Sequence, residues 1–370
     1  MMLPVTLSTY ISKQFTGSVV AMLLALSGLV AMFDFIELLR RATSKPDATF
    51  GLISEIAALR LPYIAMQIMP FAVLLGGILC FWRLTRSSEL IVARAAGVSA
   101  WEFLTAPTMC ALLLGVLTTC AISPVSSVMF ARAEAMDNTY LKTGGGPLAL
   151  TGGQLWLRQS DRGLTPQGVA IIHAHSVELH GKRLTASQVS VFRLDGHDKL
   201  LSRIEANVAT LGKGAWEMQK ASVIRPDELP SPPTAMSLPT DLTVARVQES
   251  FASPDTLSFW DLPGFISLLD RSGFSSIRHR LHFQALLALP LLAATMALVS
   301  AGFSMRPARR GGVAQMIGSG VAAGFALFVV SKVAEEFGQS GALPVGLAAW
   351  VPAASGLMLA IALLLHTEDG

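Results

Sequence analysis

Charged residues are scarce in this chain. Only 14% of its 370 residues are Asp, Glu, Lys or Arg, whereas 52% are hydrophobic, and soluble domains carry about 25% charged residues. This shortage excludes an ordinary soluble protein and predicts an integral membrane protein. The net charge is only +3. No cluster of basic and aromatic residues accompanies it, so nucleic acid is not expected as a partner.

Cysteines and nucleotide-binding motifs are also few. Cys80, Cys110 and Cys120 all lie in apolar runs, where they are expected to pack rather than form a disulfide or a metal site. No G-x-x-x-x-G-K-S/T phosphate loop occurs, so ATP hydrolysis by that route is not expected. His173 and His175 would share one face of a strand, but no third ligand is recognisable nearby. We therefore predict no catalytic residue, no cofactor and no metal.

Six stretches without charged residues are long enough to cross a bilayer. They cover residues 14–33, 61–82, 103–131, 281–305, 313–331 and 337–365. The mildly amphipathic residues 1–13 are expected to lie along the membrane surface before the first span. The sequence thus predicts an α-helical membrane protein with six transmembrane helices.

A segment of ordinary polarity separates the third span from the fourth. Short runs of alternating or β-rich residues recur there at intervals of a dozen or so, bounded by turn signals such as Asp195-Gly196. This pattern predicts an inserted all-β domain, a sandwich or jelly roll. The predicted divisions are residues 1–131 for helices 1–3, 132–257 for the β domain, and 258–370 for a connecting helix and helices 4–6.

The distribution of Lys and Arg in short loops predicts the orientation. If the N-terminus is cytoplasmic, seven basic residues flank the inner side and four the outer side. The inner set is Lys13, Arg83, Arg86, Arg94, Arg306, Arg309 and Arg310, and the outer set is Arg40, Arg41, Lys45 and Arg60. This excess places both termini in the cytoplasm and the β domain in the periplasm.

The loop between the second and third spans carries helix signals at both ends. Ser87 is a candidate N-cap and Gly97 a candidate stop, which predicts a helix over residues 88–96 within a connector of about 87–97. Ser99 and Glu102 have the spacing of a capping box that starts the next helix. The small, mixed surface of this helix suits docking of another protein, with Arg86, Glu89 and Arg94 as candidates. The alternative is a simple loop.

Charged side chains follow the first span at helical spacing. Asp34, Glu37, Arg40 and Arg41 lie where the apolar run ends, and ionisable residues at such depth usually face a protein interior or an aqueous cavity. Arg40 and Arg41 are therefore candidates to bind anionic groups such as lipid phosphates at a cavity mouth. The alternative is anchoring of the span by arginines that reach the interface.

A second group of charges closes the fifth span. Lys332 precedes Glu335 and Glu336 by about one helical turn, so it can pair with them or, across the bundle, with Asp34. Earlier in this span, Gly318, Gly320 and Gly324 permit close helix approach, either within the chain or against a partner subunit.

Two stretches resemble the LptF/LptG permease family, which exports lipopolysaccharide from the inner membrane of Gram-negative bacteria. They are residues 33–42 and 86–99. The span pattern around a β domain is also similar, so the resemblance covers essentially the whole chain. It implies a non-catalytic permease subunit of an ABC transporter.

The resemblance also implies partners and site residues. The partners are an LptF-like second permease, an LptB-like ATPase dimer, an LptC-like bitopic protein and a periplasmic LptA-like bridge, with lipopolysaccharide as substrate. Glu89 corresponds to the carboxylate that contacts the ATPase, and Arg40 and Arg41 to basic residues that contact the lipid. Some family members carry a cation where this chain has Asp34, so Asp34 is expected to hold Arg or Lys side chains in place or to reflect a lipid of different charge.

Two other functions fit parts of the sequence. A membrane-anchored periplasmic scaffold would need neither charges near the span ends nor a capped connector. A secondary transporter working alone would be expected to carry ionisable residues near mid-span, whereas here the charges cluster at the ends.

Overall fold

The computed structural model describes residues 5–43, 48–89, 92, 95, 99–141, 155–161, 168–180, 183–195, 199–212, 214–226, 228–240, 253–271, 275–304 and 313–368. The chain forms two compact units. One comprises Met1–Glu134, Pro254–Pro263 and Ile277–Gly370, and the other comprises Ala135–Ser253 and Gly264–Ser276. The first is helical and the second holds the β-structure, and each is described by itself.

Long helices dominate the first unit. The helices of the described chain are α1 (Val5–Ala42), α2 (Phe50–Arg86), α3 (Ala100–Leu117), α4 (Ser123–Tyr140), α5 (Leu262–Arg271), α6 (Ile277–Ser304), α7 (Val313–Gln339) and α8 (Val345–Glu368). Most of α5 and the last turns of α4 belong to the second unit. A π-helical segment, Thr118–Ile122, joins α3 to α4. Six helical stretches of the described chain are long and apolar enough to span a membrane, which confirms the six predicted spans.

Helix α6 lies at the centre of the bundle and packs against α2, α3 and α8. Its contact face consists largely of Ala, Ser and Thr, and Ala293, Thr295 and Ala301 are fully buried. Short side chains let neighbouring helices come close: a Cβ placed on Gly77 of α2 would lie 2.2 Å from the Ser300 hydroxyl. Close packing of small residues is therefore what holds this bundle together.

The expected surface helix before the first span is wrong. The described residues from Val5 onward belong to the same 38-residue helix as the span itself. Ile11 and Phe15 are fully buried, and the Phe15 ring lies 6.1 Å from the ring of Phe81 on α2. The apolar residues near the start of α1 thus pack into the bundle core, which extends the helix beyond the charge-free stretch.

Six strands form one sheet in the second unit. They are β1 (Leu155–Ser160), β2 (Val169–His180), β3 (Arg183–Leu194), β4 (Leu200–Leu211), β5 (Ala215–Ile224) and β6 (Thr234–Pro239). Each strand pairs antiparallel with the next, in sequential order, so the inserted all-β domain is confirmed. The order of these six strands is that of a meander, whereas a jelly roll is built from Greek keys.

The inward-facing residues of the sheet change parity partway along the strands. In β3, Ala186 is buried before the change and Val189 after it, and Gln188 between them has a φ of 51°. In β5, Met218 and Ala221 are buried around Lys220, whose φ is 52°. β3 keeps a single register with β2 and β4 across Gln188, whereas β5 shifts its register against β6 between Met218 and Ala221. At both positions the left-handed residue returns the next side chains to the same face. One face of the sheet can thus bury its core throughout.

Candidate functional site

A partly buried ion pair joins the last turns of α1 to the third turn of α2. The Arg60 guanidinium donates a hydrogen bond from Nη1 to Asp34 Oδ1 at 3.0 Å, and the two side chains are 16% and 25% exposed. Asp34 thus holds a cation in place. In the sequence alone, Arg60 is only one of the basic residues that flank the spans. The pair could have been predicted from topology, because two consecutive antiparallel spans bring an acidic residue near the end of the first beside a basic residue near the start of the second.

Glu37 binds both arginines at the end of α1. Its carboxylate accepts hydrogen bonds from Arg40 Nε and Nη2, each at 2.8 Å, and from Arg41 Nε at 3.0 Å. Arg40 remains 76% exposed and Arg41 45% exposed. Two cations share one carboxylate, so these three residues carry a net charge of +1. We refer to Asp34, Glu37, Arg40, Arg41 and Arg60 together as the charged rim.

Lys332 of α7 pairs locally. Its ammonium lies 2.8 Å from Glu335 Oε2, three residues along the same helix, and Gln339 donates to the other Glu335 oxygen at 3.3 Å. Lys332 thus pairs within its own helix. The carboxylate of Asp34 is taken up by Arg60 instead.

The glycines of α7 pack within the chain. A Cβ on Gly320 would lie 2.2 Å from Ile78 Cδ1, and one on Gly324 would lie 2.6 Å from Leu74 Cδ2, whereas one on Gly318 would meet nothing within 4 Å. Ile78 and Leu74 both belong to α2. The Gly320 and Gly324 pair therefore serves the packing of α7 on α2.

The connector between α2 and α3, residues 87–99, begins differently from the prediction. Ser87 is the C-cap of α2 and not an N-cap, because its hydroxyl donates back to the Arg83 carbonyl at 3.1 Å. Ser88 follows with a φ of 60°, and its carbonyl accepts a hydrogen bond from the Val92 N–H at 3.0 Å. The described connector residues Glu89, Val92 and Ala95 are helical. The candidates Arg94 and Gly97 lie outside the described residues.

Glu89 and Arg86 are both exposed at this end of the bundle. The Arg86 guanidinium lies 5.5 Å from the centre of the Trp82 ring. Glu89 lies close enough to Tyr10, near the start of α1, for the two side chains to interact electrostatically. The candidate docking carboxylate is thereby linked to the first helix as well as to the second.

The predicted capping box at the other end of the connector is confirmed. The Glu102 N–H donates to Ser99 Oγ at 3.1 Å, and the Ser99 N–H donates to Glu102 Oε2 at 3.2 Å. These bonds satisfy backbone donors that the first turn of α3 would leave open. The connector is thus closed at both ends, by Ser87 on α2 and by Ser99 on α3.

The histidine pair of β2 does not belong to this site. His173 packs against Trp156 of β1, with 4.2 Å between ring centres, and His175 is exposed. Within the ranges given above, no three metal-ligating side chains come together. The arrangement is an aromatic contact on the sheet surface.

Six apolar helical stretches and an inserted antiparallel β domain define a multi-pass membrane protein with a separate soluble domain. Residues 9–366 match the family model described as the lipopolysaccharide export system permease LptF/LptG. The chain belongs to this family, as its resemblance at residues 33–42 and 86–99 predicted. Members of the family are membrane permease subunits.

Two similar proteins carry the name lipopolysaccharide export system permease protein LptG. The protein of Haemophilus influenzae is 24% identical over 371 residues, which cover 98% of this chain and 99% of the relative. The protein of Escherichia coli strain K12 is 23% identical over 368 residues, which cover 97% and 98% of the two chains. The similarity thus extends over both the helices and the β domain.

Proposed function

We propose that this chain is the permease subunit of an ABC transporter that extracts lipopolysaccharide from the inner membrane and passes it to a periplasmic bridge. The main support for this proposal is that the single helix α2 extends from the charged rim to the connector. This 37-residue helix binds Asp34 through Arg60, in its third turn, and ends at the connector, about 39 Å further along. One rigid element therefore joins a charged rim to a capped segment suited to docking.

The charged rim is proposed to receive the lipid phosphates. Arg40 and Arg41 are exposed and share a single carboxylate, so their guanidinium groups retain donors and a positive field for an anion. Asp34 has a different role in this proposal, because it binds Arg60 between the helices. Lys332 is a further candidate, with Glu335 as its competing partner.

The connector is proposed to dock the ATPase. Glu89 is exposed between the capping residues Ser87 and Ser99. Because hydrogen bonds fix the connector at both ends, a displacement of the connector is transmitted to α2 and α3. Nucleotide binding would bring the ATPase copies together and displace these helices. The cavity between the two permeases would then collapse and drive the lipid outward.

The partners follow from this role. We propose an LptF-like second permease, an LptB-like ATPase dimer, an LptC-like bitopic protein and an LptA-like bridge, with the termini of this chain in the cytoplasm and residues 132–257 in the periplasm. ATP hydrolysis belongs to the separate ATPase. A membrane-anchored scaffold without transport activity is the alternative that the following experiment would detect.

The test is a gentle detergent pull-down of this chain from native membranes, with mass spectrometry of bound proteins and lipid. The variants are Glu89→Lys and, as a matched charge reversal on another exposed glutamate, Glu336→Lys. We expect the wild type and Glu336→Lys to recover an ATPase, a second permease and lipopolysaccharide, and Glu89→Lys to lose the ATPase. Recovery of the chain alone, or with periplasmic proteins only, would favour the scaffold.

A further inference from the structure

The third span is interrupted by the π-helical segment Thr118–Ile122. A π turn inserts a residue into the helix and frees a backbone carbonyl from its usual donor, and such turns are frequent at functional sites. Here the Cys120 carbonyl accepts a hydrogen bond from the Trp260 indole N–H at 3.1 Å. Next to it, Ser123 Oγ accepts one from the Phe259 N–H at 3.1 Å. The interruption is therefore bound from one side by residues 254–260, which we call the clasp.

A second interruption faces the same segment from α6. Pro290 has no N–H, so the Leu286 carbonyl four residues earlier loses its helical donor. The buried Thr119 hydroxyl supplies the replacement at 3.0 Å. Gly115 makes the approach possible, because a Cβ there would lie 2.4 Å from Pro290 Cα. The π segment thus satisfies the carbonyl that the helix defect in α6 leaves open.

The clasp is itself attached to α6. The Phe259 ring stacks on Phe283 with 5.3 Å between centres and 16° between planes. The Asp255 carboxylate lies 3.5 Å from His282 Nδ1, and it also interacts with the Tyr63 hydroxyl of α2. The clasp therefore contacts α2, α6 and the π segment at once.

We propose that the π segment is the hinge of the third span, and that Trp260 and Thr119 are positioning residues that set its angle. The inference rests on the proposed function. The α3 half begins at the Ser99 capping box and follows the connector, whereas the α4 half leads toward the β domain. A one-residue shift of the π turn would present a different carbonyl to Trp260 and would move the Thr119 hydroxyl relative to the Leu286 carbonyl. The hinge would thereby convert connector motion into a defined movement of α4.

The test uses the complete transporter complex in lipid nanodiscs, with spin labels on cysteines replacing the exposed Met109 of α3 and Val128 of α4, and with the three native cysteines replaced. These positions are 57% and 71% exposed and about 28 Å apart along a helix. The distance between the labels is measured without nucleotide and with the ATPase trapped by vanadate. We expect it to change between the two states.

Matched variants isolate the two hydrogen bonds. Trp260→Phe is compared with Trp350→Phe, which loses an indole bond of the same 3.1 Å length to Gln284. Thr119→Val is compared with Thr295→Val, which loses a hydroxyl bond to the Leu291 carbonyl within α6, outside the π segment. We expect lipopolysaccharide released per ATP to fall about fivefold in the two hinge variants, as loss of one hydrogen bond shifts a two-state equilibrium. Both controls should release it at the wild-type ratio.

The outcomes separate the hinge from the function. Thr119→Ser retains the hydroxyl and should restore the wild-type ratio, so a folding defect is distinguished from loss of the bond. An unchanged label distance in a wild-type complex that still releases lipid would overturn the hinge and leave the proposed function standing. A wild-type ratio in Trp260→Phe and Thr119→Val would overturn it as well. ATP hydrolysis without any lipid release by the wild type would instead contradict the proposed function.

Discussion

Each cation of the charged rim has a carboxylate partner, but the depth of the pairs differs. Arg60 and Asp34 are mostly buried between two helices, whereas Arg40 and Arg41 extend into the surroundings from Glu37. Removing one member of a buried pair is costly because the other loses its compensation. Exposed pairs contribute little to stability and exchange partners readily. The two kinds of pair should therefore respond differently to substitution.

A double-mutant cycle tests the buried pair. Asp34→Ala and Arg60→Ala should each lower the free energy of unfolding by about 2 kcal/mol, and the double variant by less than the sum. The control cycle uses Arg132 and Glu55, whose charged groups lie 3.1 Å apart and whose side chains are 68% and 48% exposed. We expect their coupling energy to be below about 1 kcal/mol. Unfolding in detergent micelles gives both values. Equal coupling energies in the two cycles would show that Asp34 is not a structural residue.

Glu37→Gln tests the exposed pair. Without this carboxylate, Arg40 and Arg41 face no competing negative charge, so lipopolysaccharide binding should become roughly threefold tighter at low salt and the gain should shrink as salt increases. Glu228→Gln is the control, because Glu228 forms an exposed bond with Arg225 in the β domain at the same three-residue spacing. Tryptophan fluorescence titration with purified lipopolysaccharide would measure the affinity. Weaker binding by Glu37→Gln would remove the rim from the lipid path.

At the scale of helices, the packing of α1 on α2 depends on a missing side chain. A Cβ on Gly76 would lie 2.6 Å from the Cα of Val19 and 2.9 Å from its backbone nitrogen. Backbone atoms cannot turn aside as a flexible side chain can. The charged rim is built across these two helices, so their separation also sets the distance between Asp34 and Arg60.

Alanine at two glycines separates this packing from helix propensity. Gly76→Ala should destabilise the protein by about 1 to 3 kcal/mol, as overpacked cores do. Gly28→Ala on α1 meets nothing within 4 Å and should be neutral or stabilising by up to about 1 kcal/mol, because Ala favours the helix. Thermal unfolding of both variants is the measurement. A Gly76→Ala protein as stable as Gly28→Ala would mean that α1 and α2 separate at little cost.

At the scale of the whole molecule, the proposed orientation assigns opposite sides of the membrane to the connector and the β domain. The charge count behind it depends partly on Arg306, Arg309 and Arg310, which lie outside the described residues. Two strongly exposed side chains report on the two sides directly. Leu229 of the β domain is 93% exposed and Val92 of the connector is 67% exposed.

Cysteine labelling tests this orientation. In spheroplasts, a membrane-impermeant maleimide should label Leu229→Cys at once, and Val92→Cys only after the membrane is permeabilised. The parent chain is the control, because its cysteines lie within the apolar spans. Labelling of Val92→Cys in intact spheroplasts, with Leu229→Cys protected, would reverse the proposed topology.

Local signals accounted for the predictions that succeeded. A charge-free run of sufficient length must form a helix in lipid, because its backbone groups need partners, and the Ser99 capping box is specified within four residues. The prediction for Ser87 was wrong because a serine hydroxyl can cap either end of a helix. Here the hydroxyl donates to the Arg83 carbonyl and so caps the C-terminal end of α2. The changes of inward-facing parity at Gln188 and Lys220 could not be predicted from the sequence. A strand is expected to alternate strictly between its two faces, and nothing in these residue types indicates the positive φ that breaks the alternation.

The sequence by itself determined the six spans, the inserted β domain and the membership of the family, since these follow from composition, periodicity and local motifs. Only the tertiary structure decided that Arg60 is the partner of Asp34, that Gly320 and Gly324 face α2, and that Thr119 serves the carbonyl freed by Pro290. The reason is physical. A chain specifies its local backbone through neighbouring residues, whereas a buried charge, a missing Cβ or an orphaned carbonyl acquires its partner only when distant helices pack together.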